Sequence, residues 1–217
     1  MIESFHYLTQ DLPGFSHEAQ VKTACEAGVK WIQLRAKNLK YRDCLSLVQR
    51  VKEITDQFGA TLIVNDYVKV AAAADAAGVH LGQNDAHWKD AREILGTQKI
   101  IGLSIHSTEE LISAKNAVVD YFGVGPFRFT TTKEKLDPLL ELEGVRKLVQ
   151  CAHDHEISTP MIAIGGIGSA DVLPLLQAGV KGIAVSSAVN KAVDPGKTIV
   201  EFLDLLKVFN HKLHSAS

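Results

Sequence analysis

The sequence predicts a (β/α)8 TIM barrel, formed by a single domain that covers residues 1–217. Eight short apolar runs alternate with eight segments whose apolar residues recur at helical spacing. The runs are apolar throughout instead of alternating with polar residues, which is typical of parallel strands buried on both faces. A length of 217 residues fits one barrel and is too short for two ordinary domains with a linker.

The eight apolar runs are the predicted strands. Because a helical segment separates each run from the next, we expect neighbouring strands to lie parallel. Eight such units at this length favour a closed barrel, and an open doubly wound sheet is the alternative. In chain order the predicted strands cover residues 5–9, 31–35, 61–65, 79–81, 99–104, 121–125, 160–164 and 182–186.

A helical segment follows every predicted strand. Several of these segments stop at a glycine, the residue preferred just after a helix end, as at Gly28, Gly59 and Gly179. A longer polar loop, residues 126–140, precedes the sixth helix. The predicted helices cover residues 17–27, 41–58, 68–77, 88–95, 108–117, 141–153, 170–178 and 198–209.

Composition excludes several classes of protein. Lys and Arg total 23 against 25 Asp and Glu, so the net charge of −2 favours neither nucleic acid nor an anionic membrane as a partner. Cys25, Cys44 and Cys151 lack the spacing of metal ligands, which is typical of reduced thiols. There is no apolar run of membrane-spanning length and no signal-peptide pattern at the N-terminus. We expect a cytoplasmic protein with small phosphorylated molecules as partners, and leave open whether it is a homo-oligomer.

Polar and charged side chains gather where the predicted strands end. In this fold the functional site is built at the C-terminal ends of the strands, so these side chains should meet at one mouth of the barrel. They follow strands two to eight in order: Gln33, Arg35, Lys37, Asn65, Asp66, Gln83, Asp85, Ser104, His106, Thr130, Thr132, Lys133, Gly165, Gly166, Ser186 and Ser187.

Two kinds of charge occur in this set. Arg35, Lys37 and Lys133 are cations suited to oxygen-rich anions. Asp66 and Asp85 offer hard oxygen ligands on adjacent strands, as Mg²⁺ prefers when it also binds substrate phosphates. A solvated or helix-capping role for the two carboxylates is equally open from their spacing alone. If they do bind metal, the combination indicates a diphosphate–Mg²⁺ complex.

A second anion site is indicated after strands seven and eight. Gly165 and Gly166 follow strand seven, while Ser186 and Ser187 follow strand eight. Barrels of this fold commonly bind a monophosphate there through backbone N–H groups and a short helix N-terminus. The sequence therefore predicts two phosphate sites at one mouth.

Seven segments resemble the thiamine phosphate synthase family, in chain order from strand two to strand eight. They are QLRAK at 33–37, VND at 64–66, GVHLGQND at 78–85, GLS at 102–104, DYFGVGPFRFTTTK at 120–133, AIGGI at 163–167 and AVSSA at 184–188. Each segment alone is a weak signal, whereas the ordered set is specific.

This resemblance implies a transferase that joins a hydroxymethylpyrimidine diphosphate to a thiazole phosphate in thiamine biosynthesis. It implies Mg²⁺ as cofactor, bound by Asp66 and Asp85, and catalytic roles for Arg35, Lys37, Ser104 and Lys133. The pyrimidine diphosphate would be bound by Gln33, Arg35, Lys37, Asn65, Ser104 and Lys133. The thiazole phosphate would be bound by Thr130, Thr132, Gly166, Ser186 and Ser187.

The sequence departs from the family pattern in the loop after strand six. Phe127, Arg128 and Phe129 stand where Ile-aromatic-Pro is commoner, and Glu141 stands where Gly is often seen. The alternatives are a thiazole tautomerase of the same superfamily, a non-catalytic regulatory phosphate-binding barrel, and a sugar-phosphate isomerase. The tautomerase branch commonly has His at the position of Pro126.

Two histidines have open roles. His80 lies within strand four and is expected to pack or to donate a hydrogen bond from behind the site. His106 lies at a strand end, from which its side chain could reach the site.

Overall fold

The computed structural model describes residues 1–37, 39–129 and 139–215, and its eight parallel strands close into the predicted barrel. Each strand pairs with its neighbours in chain order, and β1 also pairs with β8, so that Tyr7 lies opposite Val185. The strands are β1 (Phe5–Leu8), β2 (Trp31–Leu34), β3 (Thr61–Asn65), β4 (Gly78–Leu81), β5 (Ile100–Ile105), β6 (Tyr121–Val124), β7 (Met161–Ile164) and β8 (Gly182–Val185).

Helices surround the barrel and connect its strands. Within the described residues, no helix is both long enough and apolar enough to cross a bilayer. The helices are α1 (His17–Glu26), α2 (Tyr41–Gln57), α3 (Val68–Ala73), α4 (Trp88–Leu95), α5 (Thr108–Ser113), α6 (Glu141–Asp154), α7 (Val172–Gln177), α8 (Ser187–Asn190) and α9 (Pro195–Ser215), and a 3-10 turn, Ser169–Asp171, precedes α7.

Several helix bounds differ from the prediction. Helix α3 ends four residues earlier than predicted, and Asp75 just beyond it adopts φ 51°, outside the helical region. Helix α8 was not predicted, since four residues are too few to show helical spacing. The last helix begins at Pro195 instead of residue 198; proline is well suited to the first turn because its missing N–H would be unpaired there.

The barrel interior is closed below its mouth by an aromatic cluster. The His6 ring stacks on Trp31 with centroids 4.3 Å apart, and Tyr121 meets both rings edge-on. A Cβ atom on Gly102 would lie 2.2 Å from Tyr121 Cζ, so only glycine leaves room for this ring beside β5. The inner cluster supports the mouth from below, while a larger apolar layer packs the helices against the outside of the strands.

Candidate active site

A cavity of about 610 Å³ opens at the C-terminal ends of the strands, within the range of small-molecule sites. All the predicted site residues in the described part of the chain line it. Thr130, Thr132 and Lys133 lie outside the described residues. The lining residues that the sequence predicted are Gln33, Arg35, Lys37, Asn65, Asp66, Gln83, Asp85, Ser104, His106, Gly165, Gly166, Ser186 and Ser187.

Asp66 and Asp85 form a carboxyl pair on one side of the mouth. Asp66 follows β3 with φ 66°, a conformation that Asp tolerates better than most residues, and its N–H donates to the His80 carbonyl at 2.9 Å. Asp85 Oδ2 accepts the N–H of Gly82 at 2.7 Å. Burial raises the pKa of Asp66 well above its ordinary value, and the hydrogen-bonded Asp85 carboxyl adds to this rise. The neighbouring Asp85 carboxyl therefore opposes the ionisation of Asp66.

Two cations flank this pair. The positive charges of Lys37 and Arg35 act to lower the pKa of Asp66, opposing the effect of burial. Both residues are held through their backbones by the segment that follows β1. Arg35 N donates to Thr9 Oγ1 at 3.0 Å, and Lys37 N donates to Asp11 Oδ2 at 3.3 Å. Thr9 and Asp11, which the sequence analysis did not select, thus fix the backbone that carries the two cations.

Ser104 stands on the floor of the cavity at the end of a buried hydrogen-bond chain. Its Oγ lies 3.0 Å from His80 Nε2, and His80 Nδ1 lies 2.9 Å from the Tyr121 hydroxyl. Gln33 hydrogen-bonds Tyr121, while burial raises the pKa of that tyrosine so that it stays protonated. Gln33 and Ser104, which come from distant strands, are therefore joined by one chain of hydrogen bonds.

His80 is buried, as predicted for a side chain within a strand, and it also lines the cavity. Burial, with a smaller contribution from neighbouring His80, lowers the pKa of His6 to about 3, so that His6 is neutral. His106, whose role was open, lines the cavity as well. Its ring Nδ1 hydrogen-bonds the Gly125 carbonyl, and its backbone N–H donates to Glu110 Oε2 at 2.7 Å.

The glycine turn after β7 lies on another side of the mouth. Gly165 and Gly166 have φ values of 101° and 64°, which disfavour any residue with a side chain. A Cβ atom on Gly166 would also lie 2.9 Å from the Phe129 carbonyl oxygen. The turn therefore presents bare backbone to the cavity.

Ser186 and Ser187 adjoin this turn at the start of α8. Asn190 Nδ2 donates to Ser186 Oγ at 3.3 Å and to the Leu8 carbonyl at 3.0 Å. The Tyr7 hydroxyl donates to Asn190 Oδ1. Tyr7 and Asn190 were not predicted, because they are 183 positions apart and neither belongs to a polar strand end. Together they hold the Ser186 hydroxyl in place.

A family model described as thiamine monophosphate synthase matches residues 8–189, most of the chain. The chain belongs to this family. The matched segment begins at the end of β1 and ends within α8, so it covers every strand end that lines the cavity.

Individual members of the thiamine monophosphate synthase family are similar over nearly their whole length. The thiamine-phosphate synthase of Bacteroides thetaiotaomicron is 34% identical over 94% of this chain and 98% of the relative. That of Flavobacterium johnsoniae is 37% identical over 94% and 96%. A solved thiamine phosphate pyrophosphorylase from Pyrococcus furiosus superposes with a TM-score of 0.83 at 34% identity, covering 94% of this chain and 95% of that one.

Proposed function

We propose that the chain is a thiamine phosphate synthase. It transfers the pyrimidinylmethyl group of a hydroxymethylpyrimidine diphosphate to the ring nitrogen of a thiazole phosphate, with thiamine phosphate and diphosphate as products. One observation carries the proposal: in a chain of this family, a single cavity is lined by two cations, a carboxyl pair and a bare glycine turn. Those groups match the needs of a diphosphate and a monophosphate bound together.

Arg35 and Lys37 bind the leaving diphosphate. When the C–O bond breaks, negative charge grows on the diphosphate, and preorganised cations stabilise that charge more in the transition state than in the ground state. Both side chains line the cavity beside the carboxyl pair. Lys133, outside the described residues, is proposed to assist them. Ser104 and Gln33 hold the pyrimidine end, with Asn65 beside them.

Mg²⁺ is the proposed cofactor, and the residues present fit it. Asp66 and Asp85 offer neighbouring carboxyl oxygens, and a divalent cation between them would offset the effects that oppose the ionisation of Asp66. Among the described residues there is no group of three metal-ligating side chains, so substrate oxygens and water must complete the shell, as is usual for Mg²⁺. When bound, the ion neutralises charge on the diphosphate.

The glycine turn and the start of α8 bind the thiazole monophosphate. Backbone N–H groups beside Gly166 and in the first turn from Ser187 can point at an anion without a side chain between them. Ser186 contributes its hydroxyl, and Thr130 and Thr132 are proposed as further ligands. Bound in this way, the thiazole nitrogen attacks the methylene carbon as the diphosphate leaves, so positioning supplies much of the catalysis.

The tautomerase alternative differs in what it requires at the mouth. That branch commonly has His where this chain has Pro126, and its reaction moves a proton without a diphosphate leaving group. Arg35 and Lys37 beside the carboxyl pair support the synthase instead. We further propose a cytoplasmic location, in keeping with three free cysteines.

The test is a coupled assay of the purified chain with both substrates and Mg²⁺, in which thiamine phosphate is detected directly. We expect thiamine phosphate and diphosphate in equal amounts, and loss of both in excess EDTA. Absence of product with both substrates supplied would exclude the synthase activity. Full activity in EDTA would exclude the metal.

A further inference from the structure

An ion pair joins the loop after β6 to the turn before α7. Arg128 Nη1 lies 2.5 Å from Asp171 Oδ2, and the guanidinium also lies over the Phe127 ring, 4.7 Å from its centroid. The Asp171 side chain is only 8% exposed, whereas that of Arg128 is 54% exposed. Arg128 is one of the positions at which the chain departs from the commoner family pattern.

Asp171 bonds to its own loop as well. The same oxygen, Oδ2, accepts the N–H of Gly168 at 2.9 Å. A buried carboxylate is costly unless donors surround it, so both partners are needed to keep Asp171 in this place. One oxygen therefore connects the Arg128 guanidinium to the backbone two residues beyond Gly166.

The backbone around Arg128 packs directly against the glycine turn. Phe127 N donates to the Ile164 carbonyl at 2.8 Å, and Arg128 N donates to the Gly165 carbonyl at 2.9 Å. A Cβ atom on Gly166 would lie 3.0 Å from Arg128 Cβ. The turn is thus held on one side by backbone hydrogen bonds and on the other by the ion pair.

Arg128 acts from behind the turn. Gly165, Gly166 and Ile167 line the cavity, whereas neither Arg128 nor Asp171 is among the described residues that do so. We propose that the Arg128–Asp171 pair is a positioning device that holds the glycine turn ready for the thiazole monophosphate. This inference rests on the proposed function, whose monophosphate side it deepens.

The direction in which Asp171→Asn changes phosphate affinity distinguishes a positioning role of Arg128 from direct binding. If Arg128 contacted the phosphate itself, Asp171→Asn would remove a competing negative charge and tighten phosphate binding. If the pair positions the turn, Asp171→Asn weakens the hold on Gly168 and on Arg128, and phosphate binding becomes weaker. Simple electrostatics and the positioning role therefore predict opposite results.

The experiment compares Arg128→Met, Arg128→Lys, Asp171→Asn and the double variant Arg128→Met/Asp171→Asn with the unmodified chain. Arg146→Met, an exposed arginine on α6, is the matched control. Calorimetric titration with the thiazole phosphate, and separately with inorganic phosphate, gives the binding constants. Steady-state assays give KM for each substrate and kcat, and thermal unfolding checks the fold.

We expect Arg128→Met and Asp171→Asn each to weaken thiazole phosphate binding about tenfold, the effect of one partly exposed charge-assisted hydrogen bond. KM for the pyrimidine diphosphate should stay within about twofold, Arg128→Lys should recover part of the loss, and the double variant should be no worse than either single one.

Three results would overturn the inference: tighter binding in Asp171→Asn, equal losses for both substrates, or wild-type affinity in Arg128→Met. An unmodified chain that makes no thiamine phosphate would instead refute the proposed function, and the inorganic phosphate titrations would still compare the variants.

Discussion

The imidazole Nε2 of His80 lies 3.0 Å from the hydroxyl oxygen of Ser104. A neutral imidazole has one donor and one acceptor nitrogen, so what His80 does toward Ser104 depends on what it does toward Tyr121 on its other side. The orientation of the Ser104 hydroxyl toward a substrate therefore depends on His80 and Tyr121 staying in place.

We expect Tyr121→Phe to impair catalysis without contact between Tyr121 and substrate. The substitution removes the hydroxyl 2.9 Å from His80 Nδ1 and leaves that nitrogen buried with one partner fewer. The free energy of unfolding should fall by about 1 kcal/mol, and kcat/KM by about tenfold. Denaturant unfolding and steady-state kinetics measure the two effects. Tyr41→Phe, at a half-exposed position on α2, is the control and should change neither. Wild-type kinetics in Tyr121→Phe would mean that the chain of hydrogen bonds serves stability alone.

Asp85→Ala should lower turnover by at least about 100-fold, because a lost metal ligand removes charge stabilisation worth several kcal/mol. It also removes the bond to Gly82 N–H, so Asp85→Asn, which keeps an acceptor oxygen, is needed beside it. We expect both variants to lose activity and Asp85→Asn to keep the wild-type melting temperature. Asp90→Ala, an exposed aspartate on α4, is the matched control. Near wild-type turnover in Asp85→Asn would show that Asp85 is not a metal ligand.

The pKa of Asp66 predicts how stability changes with pH in EDTA. Burial raises this pKa in the folded chain, so above the ordinary carboxyl range the unfolded chain releases its proton first. Stability is therefore lost as pH rises from that range to the raised pKa of Asp66. In urea unfolding from pH 4 to pH 9, the free energy of unfolding of wild type should fall relative to that of Asp66→Asn. Asn is a suitable replacement because it tolerates the φ of 66° at this position.

Adding Mg²⁺ should reverse this loss in wild type and leave Asp66→Asn nearly unchanged, because the proposed ion would bind only the ionised form of Asp66. Asp90→Asn serves as the control for removal of an exposed carboxylate. Parallel stability curves for wild type and Asp66→Asn would contradict the raised pKa.

The two substrates should be separable by mutation. Gly166→Asp adds a negatively charged side chain to the glycine turn, and its Cβ atom would lie only 2.9 Å from the Phe129 carbonyl oxygen, so the turn must shift from its place beside the cavity. It should abolish calorimetric binding of the thiazole phosphate and spare the pyrimidine diphosphate. Lys37→Ala should do the reverse, since it removes one cation beside the carboxyl pair. Loss of the same ligand in both variants would refute the assignment of the two phosphates to different sides of the mouth.

Gly166→Ala tests the same site with a milder change, because it adds no charge. We expect weaker thiazole phosphate binding with an intact fold. The φ of 64° and the contact with Arg128 disfavour even a methyl group at this position.

The positions of residues near strand ends were predictable from the sequence. Arg35, Asp66 and Ser104 each follow an apolar run closely, and the barrel brings such positions to one mouth whatever lies between them. The fold was predictable from the same runs, because parallel strands buried on both faces are apolar along nearly their whole length.

Partners that act across the barrel were not predictable. The Tyr7–Asn190 contact joins the first strand to a four-residue helix that has no helical spacing to detect. From the sequence, Asp171 looks like an ordinary residue at the start of a helix. Its contact with Arg128 is visible only in the folded structure. The role of His80 followed only in outline, since its position within a strand predicted burial but not its two hydrogen-bond partners.

The contact between β1 and β8 has a consequence for how the protein is made. A ribosome delivers Tyr7 long before Asn190, and the 183 positions between them correspond to roughly 10 to 40 seconds of synthesis. During that interval β1 has an unpaired edge that can join strands of other chains. The Ser186 hydroxyl acquires its partner Asn190 only when α8 has been made. The proposed monophosphate side of the mouth is therefore completed late in synthesis, with α9 still to follow, and we expect nascent chains stopped before α8 not to bind phosphate there.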